Sequence, residues 1–161
     1  MGKFRIVLTG AVAAGMISVT PVVAQADTAT RPSAVEAPQP FSALADGFLY
    51  ASAEPYGQGA YCRWLNNSED WGVCTDAAGN SRNMKNEASQ MWNNGVPGPY
   101  DDVKVFWDTS HAGAWRCLTN GSHWDNLPLG RETFNGGGSS ARGYGQSLNN
   151  NVASHMWVDN C

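Results

Sequence analysis

A seven-residue phrase occurs twice in this chain, and it constrains the fold more than any other feature of the sequence. NEASQMW spans residues 86–92 and NVASHMW spans residues 151–157, so five of the seven residues are identical and the second copy begins 65 residues after the first. Methionine and tryptophan are rare residues, so a chance match on this pair is improbable. The phrase therefore predicts an internal repeat, with two similar units in one domain.

The start of the chain has the pattern of a secretory signal peptide of 26 residues. Lys3 and Arg5 precede an apolar run that ends in AQA, so we expect cleavage before Asp27. Residues 27–40 are rich in Pro and Ala with few bulky apolar side chains, which predicts a flexible leader. The folded domain is expected over residues 41–161, as an exported monomer with no membrane partner.

Charge argues against one class of partner. Loss of the two basic residues of the signal leaves eight Lys and Arg against fourteen Asp and Glu, which changes the net charge from -4 to -6. Binding to nucleic acid depends on neutralising phosphates with basic side chains. We therefore expect no nucleic-acid partner.

Four cysteines lie in the exported part of the chain. An even count in a small secreted domain predicts two disulfides, for which three pairings are open. A hairpin that turns near residues 67–68 would place Cys62 opposite Cys74, so we expect that bridge and, by elimination, Cys117 with Cys161. A structural zinc site is the weaker alternative, because no Cys-x-x-Cys pair is present and the three histidines are scattered.

The remaining patterns predict an all-β chain. Runs such as AYCRW and VKVFW are β-branched or aromatic, whereas NNSED and NNGVPGP are turn sequences, and no helical period continues for three turns. In each half an aromatic strand, a polar turn and a glycine (Gly72 or Gly113) precede the repeated phrase. This order predicts two Greek-key units forming two packed sheets. The segment 117–154 of the second unit exceeds the corresponding 74–89 by 22 residues, which indicates an insertion.

These residues resemble the Greek key of the βγ-crystallins. Phe106, His111 and Gly113 match its aromatic, aromatic and glycine spacing, and residues 151–154 match its closing Asn-x-x-Ser motif. The resemblance implies that the glycine has a backbone conformation closed to other residues. It also implies that the serine hydroxyl ties the folded hairpin down from the neighbouring strand.

The first unit resembles the same pattern less closely. Its closing motif is complete at residues 86–89, but the spacing from Trp64 to Gly72 is one residue longer than the family pattern. The final serine of each closing motif is replaced, by Gln90 in the first unit and by His155 in the second.

Export, the leader, two disulfides and a βγ-crystallin-like body together resemble the streptomycete metalloproteinase inhibitor family. The opening Cys62-Arg63-Trp64 and the closing segment GYGQSLNNNVASHMWVDNC are similar to segments of its members. The resemblance implies a secreted peptidase inhibitor whose partner is a thermolysin-like zinc protease. Such an inhibitor presents a rigid, substrate-like loop to the enzyme.

The same resemblance suggests where the protease would make contact. Thermolysin-like enzymes favour a bulky apolar residue after the scissile bond, and Cys117-Leu118-Thr119 offers a disulfide anchor followed by such a residue. Cys74-Thr75 is the weaker analogue. The alternative interpretation is that Leu118 is an ordinary core side chain on a strand that leaves the disulfide.

Calcium is the one cofactor that the resemblance raises, since many βγ-crystallin units bind it through carbonyl, Asn or Asp, and Ser oxygen atoms. The implied ligands are Asn151 and Ser154 in the second unit and Asn86 and Ser89 in the first. Lys85 precedes the first motif and would oppose a cation there. The alternative is that these residues are purely structural.

Catalysis has little support in the sequence. The Asp, Ser and His of residues 108–111 are neighbours on one turn and cannot align as orienter, nucleophile and base, and Gly-x-Ser-x-Gly is absent. Glu69 with Asp70, or Glu132, could supply the carboxylates of a glycosidase. These residues lie in predicted turns, however, where acidic side chains are usually solvated. We expect no enzymatic activity.

The seven tryptophans raise a second function, a glycan-binding or cell-wall-binding protein or a killer-type antifungal protein. Four are expected in the core because they lie in predicted strands: Trp64, Trp92, Trp107 and Trp157. Three beside turns are the candidate sugar contacts: Trp71, Trp115 and Trp124. Retention on polysaccharide would favour this function, whereas inhibition of a protease at matched concentration would favour the first.

Overall fold

The computed structural model describes residues 44–161, so the predicted signal peptide and leader lie outside the described residues. This part of the chain forms strands and two short 3-10 helices, Pro55–Gly57 and Leu127–Leu129. The strands are β1 (Phe48–Ser52), β2 (Tyr61–Trp64), β3 (Cys74–Thr75), β4 (Ser81–Arg82), β5 (Gln90–Asn94), β6 (Asp102–Phe106), β7 (Trp115–Leu118), β8 (His123–Trp124) and β9 (Ser154–Val158). No helix within residues 44–161 is long and apolar enough to cross a membrane.

The strands form two antiparallel sheets, and each sheet contains a Greek key. One sheet has the order β4-β3-β2-β1-β5-β8, in which β5-β1-β2-β3 is the fourth, first, second and third strand of one key. The other sheet has the order β7-β6-β9, and a single bridge from Trp115 to Gly136 stands in for the third strand. The predicted all-β class with two Greek-key units is confirmed.

Each unit also contributes a segment to the sheet of the other. The β8 strand of the second unit pairs with β5 of the first, with Met91 opposite Trp124. In return, Ser68 of the first unit pairs with His155 on β9 of the second. Because both exchanges use main-chain hydrogen bonds, the two sheets are connected at their edges as well as through the core.

The repeated phrase supplies the fourth strand of each unit, which confirms the predicted repeat. The phrases form β5 and β9, and each lies beside the first strand of its own key. The residues just before these strands pair with one another, since Asn86 N donates to Val152 O at 2.9 Å and Asn150 N donates to Ala88 O at 3.0 Å. The two copies therefore contact each other directly through main-chain hydrogen bonds.

The core lies between the sheets and draws on both. Val103 and Val105 of β6 are fully buried while Lys104 between them is not, which is the period of two expected for a strand with one face inward. Leu49 and Met91 cover the facing side from the first sheet. The 22-residue insertion adds three further buried side chains: Leu127, Phe134 and Leu148.

Both predicted disulfides are confirmed, with Cα–Cα distances of 5.8 Å for Cys62–Cys74 and 5.6 Å for Cys117–Cys161. The expected direct opposition of the first pair is wrong, however. Arg63 pairs with Thr75, so Cys74 lies diagonally across from Cys62. The bridge joins neighbouring strands without requiring the symmetrical hairpin that the sequence suggested.

The two predicted hairpin glycines have different outcomes. Gly113 has φ +77°, and a Cβ there would lie 3.0 Å from the Arg142 carbonyl oxygen, so this position requires glycine as predicted. Gly72 has no positive φ and does not belong to the folded hairpin of the first unit. That hairpin joins β1 to β2 and turns through Gly59 at φ +74°. The run AYCRW is thus the second strand of its unit and not the first.

Candidate functional site

A buried aromatic cluster joins the two units beneath the segment that connects β2 to β3. The ring centroids of Trp64 and Trp71 lie 4.5 Å apart with 20° between the ring planes. Trp71 Nε1 donates to His155 Nδ1 at 2.8 Å, and His155 Nε2 lies 3.0 Å from the carbonyl oxygen of Asn66. An imidazole that accepts at Nδ1 and donates at Nε2 is neutral. Burial lowers the pKa of His155 to about 3, which agrees with that state.

Next to this cluster the chain presents an apolar side chain to solvent. Trp71 is fully buried and Cys74 is 5% exposed, but Val73 between them is 76% exposed. Trp71 N donates to Ala153 O at 2.9 Å, and Met84 N donates to Trp71 O at 3.0 Å. Val73 is therefore held on a short segment that is anchored on both sides.

The residues predicted to contact a protease, Cys117 to Thr119, lie elsewhere in the fold, on and after β7. Leu118 is 1% exposed and packs in the core on β7, so the prediction that its side chain contacts a protease is wrong, and the alternative core interpretation is confirmed. Cys117 is half-buried, and Thr119 is exposed in the turn that follows. Of the weaker analogue, Thr75 is exposed beside the buried Cys74.

A groove of about 690 Å³ lies between the two units. Leu65 and Asn66 of the segment after β2 line it, together with Val96 and Tyr100 of the β5–β6 connection. Trp157 of β9 lies in the same groove, and a Cβ on Gly95 would be 2.9 Å from its ring, so glycine there allows the ring its place. No sequence motif predicts this groove, although the turn sequence NNGVPGPY of residues 93–100 contributes to its lining.

The tryptophans predicted as sugar contacts are only partly available. Trp71 has no exposed surface, so its assignment as a glycan contact is wrong. Trp115 is half-buried. Lys104 Nζ lies 4.3 Å from its ring centroid, and Gly136 packs so closely on the ring that a Cβ there would be 2.2 Å from the ring atoms. Trp124 is partly buried against the core. Trp124 belongs to the first sheet and Trp115 to the second.

Three of the four tryptophans predicted in the core pack against it without being fully buried. Trp64, Trp107 and Trp157 contact the core cluster. Trp92 instead stacks on Tyr50, with 5.6 Å between ring centroids. The largest fully buried side chain is Trp71, which sequence position alone had placed at the surface.

The residues of the second unit proposed for calcium form hydrogen bonds within the protein. Ser154 is fully buried, donates to Asp108 O and accepts from His111 N at 3.2 Å, which confirms the predicted clasp on the folded hairpin. Asn151 Nδ2 donates to the carbonyl oxygens of Ser147 and Asn149. These hydrogen bonds give Ser154 and Asn151 a structural role, and calcium binding at these residues stays a prediction.

In the first unit the equivalent positions also bond within the protein. Ser89 N donates to Ser52 O at 2.8 Å, and Asn86 holds φ +58° while its N binds Val152 O. Lys85 Nζ lies 3.5 Å from Asp70 Oδ1. The Lys85 ammonium group that precedes this motif is thus paired with a carboxylate.

The turn that carries Asp108, Ser110 and His111 is a structural one. Ser110 N donates to Glu69 O at 2.8 Å, and His111 Nε2 lies 2.9 Å from His155 O. Asp108 Oδ2 pairs with Arg142 Nη1 at 2.7 Å. The imidazole faces a carbonyl and the carboxylate faces a guanidinium, so the three side chains do not assemble as a nucleophile, base and orienter.

No family model matches the sequence, and no curated protein matches it. A solved structure described as "Evolution of the eye lens beta-gamma-crystallin domain fold" is similar to this chain, with 17% sequence identity and a TM-score of 0.47 over 72% of this chain and 90% of that chain. A likeness at that level carries no argument about function. The fold class rests on the strand order itself: an all-β, βγ-crystallin-like sandwich of two Greek-key units with two disulfides.

Proposed function

We propose that this chain is a secreted proteinaceous inhibitor of thermolysin-like zinc metalloproteases. The enzyme class comes from the resemblance to the streptomycete inhibitor family, and the two disulfides support an extracellular location. The observation that carries the proposal is Val73, a bulky apolar side chain that is 76% exposed one residue before a buried cystine.

Rigidity of the Val73 segment supports a substrate-like mode of binding. Trp71 is fixed by two main-chain hydrogen bonds and by its indole bond to His155. Gly72 N donates to Asp70 Oδ1 at 2.8 Å, and the disulfide to Cys62 fixes Cys74. Because the segment is ordered before binding, an enzyme that accepts it loses little conformational entropy in doing so.

The position of Val73 also suits the specificity of the proposed target. An enzyme that favours an apolar side chain after the scissile bond would accept Val73 and align the Gly72–Val73 bond with its zinc. If that bond were cut, the buried Trp71 would hold one new end and the Cys62–Cys74 disulfide the other. Both product ends would stay in the enzyme cleft, which explains how a substrate-like segment could inhibit.

The proposal is tested by titrating a thermolysin-like protease with the purified protein. We expect stoichiometric inhibition of peptide hydrolysis, and we expect Val73→Asp to weaken it about 30-fold or more, since a central apolar contact of an interface commonly contributes about 2 kcal/mol. Leu129→Asp is the matched control, because Leu129 is 57% exposed on a separate 3-10 helix. It should inhibit like the unchanged protein.

Mass spectrometry of the complex provides a second measurement. Slow cleavage between Gly72 and Val73, with both fragments retained through Cys62–Cys74, is the expected product. Absence of inhibition at micromolar protein, or equal loss of inhibition in Val73→Asp and Leu129→Asp, would refute the role of Val73.

A further inference from the structure

We propose that the groove between the two units binds a neutral oligosaccharide. This site is separate from the Val73 segment, and the inference does not depend on protease inhibition. It also differs from the sequence-based glycan hypothesis, because none of the three tryptophans named there lines the groove.

Exposed rings and apolar side chains give the groove a surface for the faces of sugar rings. Tyr100 is 67% exposed, Val96 is 62% exposed and Leu65 is 56% exposed, and all three line the same cavity with the half-buried Trp157. Clustered apolar exposure of this kind marks an interaction site, whereas scattered exposed residues do not. The volume of about 690 Å³ falls in the range of about 300 to 1,000 Å³ that is usual for ligand sites.

The backbone of Tyr100 is strained. Its φ is +59°, a left-handed value that a bulky residue seldom adopts. The connection is fixed beside it, since Gly98 N donates to Asp101 Oδ2 at 2.9 Å and Asn93 Nδ2 donates to Asp101 O at 2.8 Å. Such strain is retained where the surrounding structure imposes it, commonly at binding sites.

The polar groups of the groove suit hydroxyl groups. Within residues 44–161, the Asn66 side-chain amide has no protein partner, so it can both donate to and accept from a ligand. The Asp101 carboxylate accepts only the Gly98 N–H bond and pairs with no basic side chain among the described residues. A carboxylate and an amide beside aromatic rings can bind sugar hydroxyls while the rings pack on the apolar C–H face.

Charge and strand geometry exclude the main rivals. No Lys, Arg or His is among the residues that line the groove in the described part of the chain, so an anionic ligand would meet Asp101 without compensation. A peptide that added as a strand would need a free edge of β9. That edge is covered, because Ser68 pairs with His155 and Asn67 Oδ1 accepts from Trp157 N at 2.8 Å.

The experiment is a fluorescence titration of the full chain with neutral tetrasaccharides of N-acetylglucosamine, β-1,4-glucose and β-1,3-glucose. Binding of at least one of them with a dissociation constant of about 1 mM or tighter is expected to perturb the emission of Trp157. An acidic oligosaccharide of uronic acids should bind more weakly than the neutral ones.

The chain offers a matched pair of variants. Tyr100 and Tyr56 both have φ +59° and are 67% and 57% exposed, but only Tyr100 lines the groove. Glycine adopts this φ without strain, so Tyr100→Gly should weaken binding about tenfold while Tyr56→Gly leaves it unchanged. Asn66→Ala, which keeps the backbone oxygen that contacts His155, should also weaken binding.

Several outcomes would overturn the inference. These are no binding by any neutral oligosaccharide at millimolar concentration, tighter binding of the uronic acid oligomer, or equal effects of Tyr100→Gly and Tyr56→Gly. A Pro-rich peptide with the sequence of residues 27–43 is the remaining rival for an aromatic groove. If this peptide bound to the groove and none of the oligosaccharides did, that result would also contradict the proposal.

Discussion

The two copies of the repeated phrase have the same backbone role but different side-chain roles. Each copy forms the fourth strand of a Greek key beside the first strand of the same key. In the second copy, Ser154 clasps the folded hairpin through two hydrogen bonds, and His155 joins the buried tryptophan cluster. In the first copy, the main chain of Ser89 binds Ser52, and Gln90 Oε1 accepts from the Ser52 hydroxyl at 3.1 Å.

This difference shows that the repeat conserves topology while the neighbours decide what each side chain does. The segment between β2 and β3 places Trp71 against His155, whereas Gln90 pairs with Ser52 of β1 in its own sheet. The final tryptophans differ in the same way, since Trp92 stacks on Tyr50 and Trp157 lines the groove. Both copies thus pair with the other unit, but only the second also contributes a side chain, Trp157, to the candidate groove among the described residues.

The largest expected effect comes from the aromatic cluster that only the second copy contacts. Trp71→Ala would remove the largest fully buried side chain and leave His155 Nδ1 without its donor. We expect the free energy of unfolding in urea to fall by about 3–5 kcal/mol.

Trp92→Ala is the matched control for this comparison, because Trp92 is only half-buried against Tyr50 on the outer side of the first copy. It should reduce stability by clearly less than Trp71→Ala. Equal losses would mean that the cluster does not distinguish the two copies.

The second prediction concerns pH, because only the second copy places a histidine in the core. Folding lowers the pKa of His155 from 6.5 to about 3, so the unfolded chain binds a proton that the folded chain excludes. The stability is therefore complete above a pH of about 6.5 and falls with decreasing pH, by up to about 1.4 kcal/mol per pH unit. His155→Gln, which copies the residue of the first unit, should remove most of this slope.

The slope is best measured by urea unfolding between pH values of about 4.5 and 6.5. At lower pH the Asp76 carboxylate adds its own dependence, because hydrogen bonds from Asn80 lower its pKa. Ser154→Ala serves as the control, since it should lower the whole curve and leave the slope unchanged. A slope that persists in His155→Gln would show that another group causes the acid sensitivity.

The repeat and the disulfides could be predicted from the sequence because their patterns are local or repeated. The phrase at residues 86–92 and 151–157 predicted the fourth strands, and cysteine positions predicted both disulfides. The clasp of Ser154 and the left-handed Gly113 followed from a motif with fixed spacing. The first strand, FLYAS, was missed because no turn signal separates it clearly from the preceding segment.

Side-chain exposure was harder to predict, because it depends on which distant segment covers a residue. Trp71 follows a polar turn and was placed at the surface, yet the exchange of Ser68 into the second sheet brings it over the core. The sequence predicts Leu118 as a protease contact. On β7, however, its side chain is buried while that of the neighbouring Cys117 is only half-buried. Val73 and Tyr100 belong to no recognised sequence motif, so their exposure becomes visible only in the structure.

The smallest expected effect compares the two serines of the repeated phrase directly. Ser154→Ala would leave the His111 N–H and the Asp108 carbonyl without their shared hydroxyl partner. We expect a loss of about 1–3 kcal/mol in the free energy of unfolding. Ser89→Ala should change stability by no more than about 0.5 kcal/mol, because within residues 44–161 the Ser89 hydroxyl makes no hydrogen bond and its main-chain bonds survive the substitution. Equal losses of stability from the two variants would contradict this prediction. They would mean that the Ser154 hydroxyl contributes no more to stability than the Ser89 hydroxyl.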